Sequence, residues 1–186
     1  MVRWILKVYW KLSGWKIMGT FPYYHKKMVL AVAPHTSMLD VMIGFAARNE
    51  LHINHAKFLG KKELFKGPLG WVLRKLGGTP VDRHSKHGVV DQAVALFEAN
   101  ENFLLGLAPE GTRTRVDTLR IVFYHIAKKA QVPILPVALD FKNKQLVIGE
   151  PFFTNNEGED FKKIMAFFSG YEGKHPEKDL RHLKKL

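Results

Sequence analysis

Short apolar runs alternate with longer amphipathic stretches through most of this chain, and that alternation narrows the fold before any motif is weighed. Met28–Ala33 is an apolar run stopped by Pro34. Ala56–Leu59, Thr79–Val81, Phe103–Ala108, Ile134–Leu139 and Lys144–Ile148 are further short runs, each bounded by glycine or proline. Between them Met38–Arg48, Pro68–Leu76, Gly88–Ala99 and Thr118–Ala130 repeat apolar residues at three- and four-residue spacing, as helices do. Strand and helix in turn predict an α/β single domain, a mostly parallel sheet flanked by helices. Such sheets take their ligands at the loops leaving the strands, which singles out the turns at Pro34-His35, Asp82-Arg83 and Pro109-Glu110.

With 186 residues, 46% hydrophobic and 12% aromatic, the chain holds enough apolar material to bury one core, which sets disorder aside. The absence of cysteine excludes disulfide scaffolds, Cys-ligated metal sites and a thiol nucleophile. The longest apolar runs fall far short of the roughly 18 to 20 residues of a spanning helix, so none is expected. Nor is a cleavable signal, because Lys7 interrupts Trp4 to Trp10 and no small-residue cleavage site follows.

Charge is high and uneven: 29 Lys+Arg against 17 Asp+Glu give a formal +12. Six basic residues and no acid precede Asp40. Within that stretch Trp4, Ile5, Val8, Tyr9, Leu12 and Trp15 recur at helical spacing beside Lys7 and Lys11, as in an N-terminal amphipathic helix resting in a membrane interface. The same pattern also fits a helix packed on its own domain. A second basic stretch, Lys57 to Lys75, is relieved only by Glu63. Nucleic acid would also attract such charge, but no C2H2 spacing or RNP-like strand accompanies it, and no nucleic-acid partner is expected.

Three groups of residues carry chemistry. His35 stands on the turn after a buried strand, and Asp40 in the first turn of the next helix. A carboxylate folded back to Nδ1 would fix the imidazole tautomer and leave Nε2 as a general base. With nine histidines in the chain, this spacing arises by chance about 0.3 times, so alone it is close to noise. In Pro109-Glu110-Gly111-Thr112-Arg113 a proline stops the strand, a glycine admits a ligand to the backbone, and Thr112 and Arg113 offer donors to a phosphate. Glu110 is placed to hold Arg113. Gly77-Gly78-Thr79-Pro80-Val81-Asp82-Arg83 sets a further arginine after a short strand, with His84 and His87 behind it.

In order, these pieces resemble the blocks of the glycerolipid acyltransferase family, best known from the 1-acyl-glycerol-3-phosphate (lysophosphatidic acid) acyltransferases. His35-x4-Asp40 is similar to the first block, Gly78 to Arg83 to the second, Pro109 to Arg113 to the third, and Val132-Pro133-Ile134-Leu135-Pro136-Val137 to the fourth. The resemblance implies transfer of a fatty acyl group to a hydroxyl of a phosphate-bearing lysolipid acceptor, in phospholipid biosynthesis. The donor would be a thioester on coenzyme A or acyl carrier protein, with no other cofactor and no metal. It implies that His35 is the base and Asp40 its orienting partner, and that Arg83, Glu110, Gly111, Thr112 and Arg113 hold the acceptor phosphate. The fourth block is explained by a buried strand with edge prolines.

On this reading residues 1–20 are an interfacial helix, 21–170 the acyltransferase domain, and 171–186 a basic polar tail, solvated or partly disordered. The protein is expected at the cytoplasmic face of a membrane, attached peripherally to an anionic surface through its tryptophans and acid-free segment. Pro34 stands where many members carry asparagine, and Arg120-Ile121-Val122 where a lysine and then a glycine are usual, so a β-branched residue adds bulk near the expected headgroup. A catalytically silent lipid-binding relative is the alternative that would keep the same arginines. A metal-dependent hydrolase would need a further carboxylate beside His35 and Asp40.

Overall fold

The computed structural model describes residues 2–82 and 88–185. Along the chain come α1 (Val2–Ser13), β1 (Lys16–Met18), β2 (Lys27–Ala33), α2 (Leu39–Glu50), β3 (Lys57–Lys61), α3 (Gly67–Lys75) and β4 (Gly78–Val81). They are followed by α4 (Val89–Ala99), β5 (Phe103–Leu107), α5 (Val122–Ala130), β6 (Ile134–Asp140), β7 (Gln145–Ile148) and α6 (Glu157–Phe168). The strands form one sheet of seven in the order β1-β7-β6-β2-β5-β3-β4. Every pairing is parallel except β6 with β7. This is the α/β architecture that the alternation predicts.

The central strands are apolar almost throughout because helices cover both sides of them. All seven residues of β6 are buried, as are Met28, Val29, Leu30, Ala31 and Ala33 of β2. One face packs against α1 and α2 through Leu6, Trp10, Ile43, Ala46 and Ala47. The other packs against α4, α5 and α6 through Phe97, Tyr124, Ile126 and Phe168. β1 was not expected: Lys-Ile-Met is too short and polar to stand out, and its place is set by pairing, Ile17 opposite Leu146.

Three expectations are corrected. Only Trp4 of the N-terminal tryptophans is exposed; Trp10 and Trp15 are buried, because α1 packs one face on α2 and the chain then turns into the sheet. α5 begins at Val122 and not at Thr118, since the Arg120 amide donates to Pro109 O at 2.7 Å and holds the preceding residues in the loop. The segment after Tyr171 is not a solvated tail. Leu180 and Leu183 are buried in the core, Asp179 accepts from the Gly173 amide, and Phe141 N donates to Glu172 O at 2.8 Å. Its lysines disguise a Leu-x2-Leu pair at helical spacing.

Candidate functional site

Parallel pairing decides which loops meet. With Ala31 opposite Leu107, the loops leaving β2 and β5 emerge at the same end of the sheet and lie side by side. The first carries His35 to Asp40, the second Pro109 to Arg113.

Asp40 sits in the first turn of α2 and is buried. Its Oδ2 accepts from the amides of Thr36 at 2.6 Å and Ser37 at 2.7 Å, and its Oδ1 from Ser37 Oγ at 3.1 Å. The Leu39 amide donates to Ser37 Oγ, so the turn between strand and helix is tied around one carboxylate. Against this fixed group stands the His35 imidazole, Nδ1 to Asp40 Oδ2 at 3.2 Å. Nδ1 therefore carries the proton, and Nε2 is the basic nitrogen, without a hydrogen-bond partner among the described residues. The two residues singled out by spacing are thus in contact, with the geometry the spacing suggested.

Glu110 points elsewhere than the sequence suggested. It makes no ion pair with Arg113; its Oε1 accepts from the His35 amide at 2.7 Å, and its Oε2 has no partner. Only 1% of Glu110 is exposed. Burial raises its carboxyl to about 7, against the lowering effect of the His35 amide and its own. The third block thereby holds the first: Glu110 anchors the backbone of the residue whose side chain Asp40 orients.

Gly111 then turns the loop with φ +63°, and its bare backbone lies under Arg120, whose Cδ would be 2.5 Å from an added Cβ. Gly111→Ala is expected to cost about 1–2 kcal/mol from the left-handed backbone alone, and to push Arg120 aside; chemical denaturation of the two proteins checks it. Beyond it Thr112 Oγ1 and Thr114 Oγ1 are 3.1 Å apart, and the Arg113 guanidinium lies against Met38 Sδ.

These residues open onto a cavity of about 930 Å³ between α2 and the sheet, within the ~300–1,000 Å³ usual for small-molecule sites. His35, Asp40, Gly111, Thr112 and Arg113 line it, and its deeper wall is apolar, with Leu30, Val32, Val137 and Leu139. Arg120 also lines it, as do Arg48, Lys57 and Lys61; the sequence set Arg120 near the expected headgroup without counting it in the site, and the hydrogen bond to Pro109 brings it back. Val122, the β-branched residue expected near the headgroup, lines the same space. Arg83 lies outside the described residues, as do His84 and His87; the flanking Val81 and Val89 line the cavity. Among the described residues no three His, Asp or Glu side chains cluster closely enough to hold a metal ion.

A histidine oriented by a carboxylate, a cavity with an apolar wall and the arginines Arg113 and Arg120 can take up a proton beside a bound anion. The family model described as Acyltransferase matches residues 16–140. The fold is similar to that of the 1-acyl-sn-glycerophosphate (LPA) acyltransferase PlsC from Thermotoga maritima, with a TM-score of 0.57. That match has 21% identity and covers 100% of this chain and 80% of the other. No curated protein sequence matches the chain.

Proposed function

The chain belongs to the acyltransferase family, and from that premise we propose that it transfers a fatty acyl group from a thioester to a hydroxyl of a phosphate-bearing lysolipid. The observation that carries this is the His35–Asp40 pair, 3.2 Å apart, opening on a cavity that is apolar within and lined with Arg113 and Arg120.

In the proposed reaction Nε2 of His35 takes the acceptor hydroxyl proton as that oxygen attacks the thioester carbonyl. Asp40 holds the ring and offsets the charge that develops on it. The tetrahedral intermediate collapses, the C–S bond breaks, and the imidazolium returns its proton to the departing thiolate. No covalent enzyme intermediate forms, so the lack of cysteine is no obstacle. Arg113 and Arg120, joined by Arg83, bind the acceptor phosphate, while Thr112 and Gly111 shape the loop; fixing the acceptor this way supplies a large share of the rate. The apolar wall receives the acyl chain of the donor, whether carried on coenzyme A or acyl carrier protein.

The substrates are amphipathic, and α1 presents Trp4, Ile5 and Leu12 to solvent beside Arg3, Lys7 and Lys11. We place the protein peripherally on the cytoplasmic face of an anionic membrane through this face. No helix among the described residues is long and apolar enough to cross a membrane.

The test is acyl transfer from labelled acyl-CoA and acyl carrier protein thioesters to a lysolipid panel, with anionic vesicles present. Diacyl product is expected from acceptors with an exposed phosphate, and little from those with none. A folded protein that binds the vesicles and transfers to no acceptor would overturn the reading in favour of lipid binding without turnover.

A further inference from the structure

α3 is nearly bare. Only Gly70 of its residues is buried; a Cβ there would lie 2.1 Å from the Phe65 carbonyl, so the helix lies directly on the chain beneath it. Apart from half-buried Leu73 the rest is exposed: Leu69 is 58% exposed, Trp71 60% and Val72 43%. Cations accompany these side chains. Lys75 Nζ lies 3.9 Å from the centre of the Trp71 ring, and Lys61 and Lys66 just before the helix are exposed; Arg74 donates to Phe65 O.

Topology decides where this helix points. The chain steps the same way across the sheet from β2 to β3 and from β3 to β4, so right-handed crossovers carry α2 and α3 over one face. Arg48 near the end of α2 confirms the apposition, its Nη1 donating to Leu76 O at 2.7 Å just beyond α3. α1 packs on that same face, on the opposite side of α2. The two helices with exposed tryptophan therefore flank α2, which roofs the cavity.

The charge follows the same division. Residues 1–81, which build α1, α2, α3 and the strands beneath them, hold 13 of the 29 Lys and Arg and only 3 of the 17 Asp and Glu, so +10 of the formal +12 lies there. One of those three acids, Asp40, is buried.

We propose that α3 is a second membrane anchor: Leu69, Trp71 and Val72 enter the headgroup layer of an anionic bilayer while the surrounding cations meet lipid phosphates. The inference rests on the peripheral attachment proposed above and extends it from one helix to a face. A bilayer fits better than an acidic protein because α2, between the two helices, also exposes Leu39 and Met42, and a broad anionic surface serves all three helices at once. Trp71 suits the role, since indole favours the headgroup level and Lys75 beside it reaches phosphate.

The chain has no cysteine, so Leu69→Cys, Trp4→Cys and Glu98→Cys each create one site for a polarity-sensitive thiol probe, on α3, α1 and the opposite face. Vesicles of equal parts phosphatidylcholine and phosphatidylglycerol are the surface. Probes at 69 and 4 are expected to shift blue and lose quenching by acrylamide, while the probe at 98 is unchanged. Leu69→Ser combined with Trp71→Ser is expected to weaken vesicle partition at least about tenfold, with the circular dichroism spectrum retained. A probe at 69 still fully quenched while that at 4 is shielded would overturn the role of α3 and leave α1 standing. Shielding at neither position would remove the peripheral attachment with it, whereas acyl transfer in detergent micelles reports on the chemistry separately. A concentration-dependent shift at 69 without vesicles would assign the patch to a second copy and overturn the proposal.

Discussion

His35→Ala is expected to lower kcat by about 10²–10⁴-fold while leaving the fold intact. The imidazole is 24% exposed, and its ring makes one polar contact among the described residues, through Nδ1 to Asp40. When it is removed, Asp40 keeps the Thr36 and Ser37 amides and the Ser37 hydroxyl, so no buried charge is stranded and little stability is lost. The cavity wall and the arginines are untouched, which confines the loss to the chemical step: KM for acceptor should change far less than kcat. Initial rates over a range of lysolipid concentrations, together with a melting curve, separate the two. A variant with unchanged kcat would remove His35 from the proposed mechanism.

Glu110 governs the second large effect, on stability. Its carboxyl titrates near 7 in the folded protein, raised from 4.5 by burial. Between those values the folded chain holds a proton that the unfolded chain has released. Its contribution to stability is therefore fully present below about pH 4.5 and is lost as pH rises through about 7, by about 3 kcal/mol when the shift is converted to energy. Glu110→Gln keeps an oxygen for the His35 amide and removes the ionisation. It should match the wild type near pH 4.5 and exceed it by about that amount at pH 8. Urea unfolding of both proteins across this range reads the difference, in which other titrating groups cancel; parallel profiles would refute it. Glu110→Leu takes away the acceptor as well and should cost about 1–3 kcal/mol, because the His35 amide is left unpaired.

The sequence made the architecture legible because central parallel strands are apolar end to end and the helices between them are not. It made the His35–Asp40 pair legible only as the first of four ordered blocks, because the spacing by itself is close to noise. What escaped it depends on partners distant in the chain. Glu110 sits three residues from Arg113, and adjacency suggested a pair. The register of β5 on β2 sends it to His35 instead, 75 residues away. Arg120 joins the site through a backbone bond that no side chain advertises. Trp10 and Trp15 look no different in sequence from Trp4; the packing of α1 on α2 buries Trp10, Phe141 packs edge-on against Trp15, and Trp4 is left in water. Leu180 and Leu183 were hidden by the lysines around them.

The burial of that last segment has a temporal side. His175 N donates to Thr36 Oγ1 at 3.2 Å, and Gly173 fits where a Cβ would meet Thr36 Cγ2 at 2.9 Å, so the turn that carries His35 is braced from behind by residues about 140 positions later. Synthesis runs the other way. A ribosome has released α1, α2 and α3 long before it makes the brace, and the strands β5 and β6 that flank β2 also come late. The growing chain makes its basic, tryptophan-bearing helices well before the segment that braces the His35 turn, so that turn is held in its final form only after the anchoring helices exist.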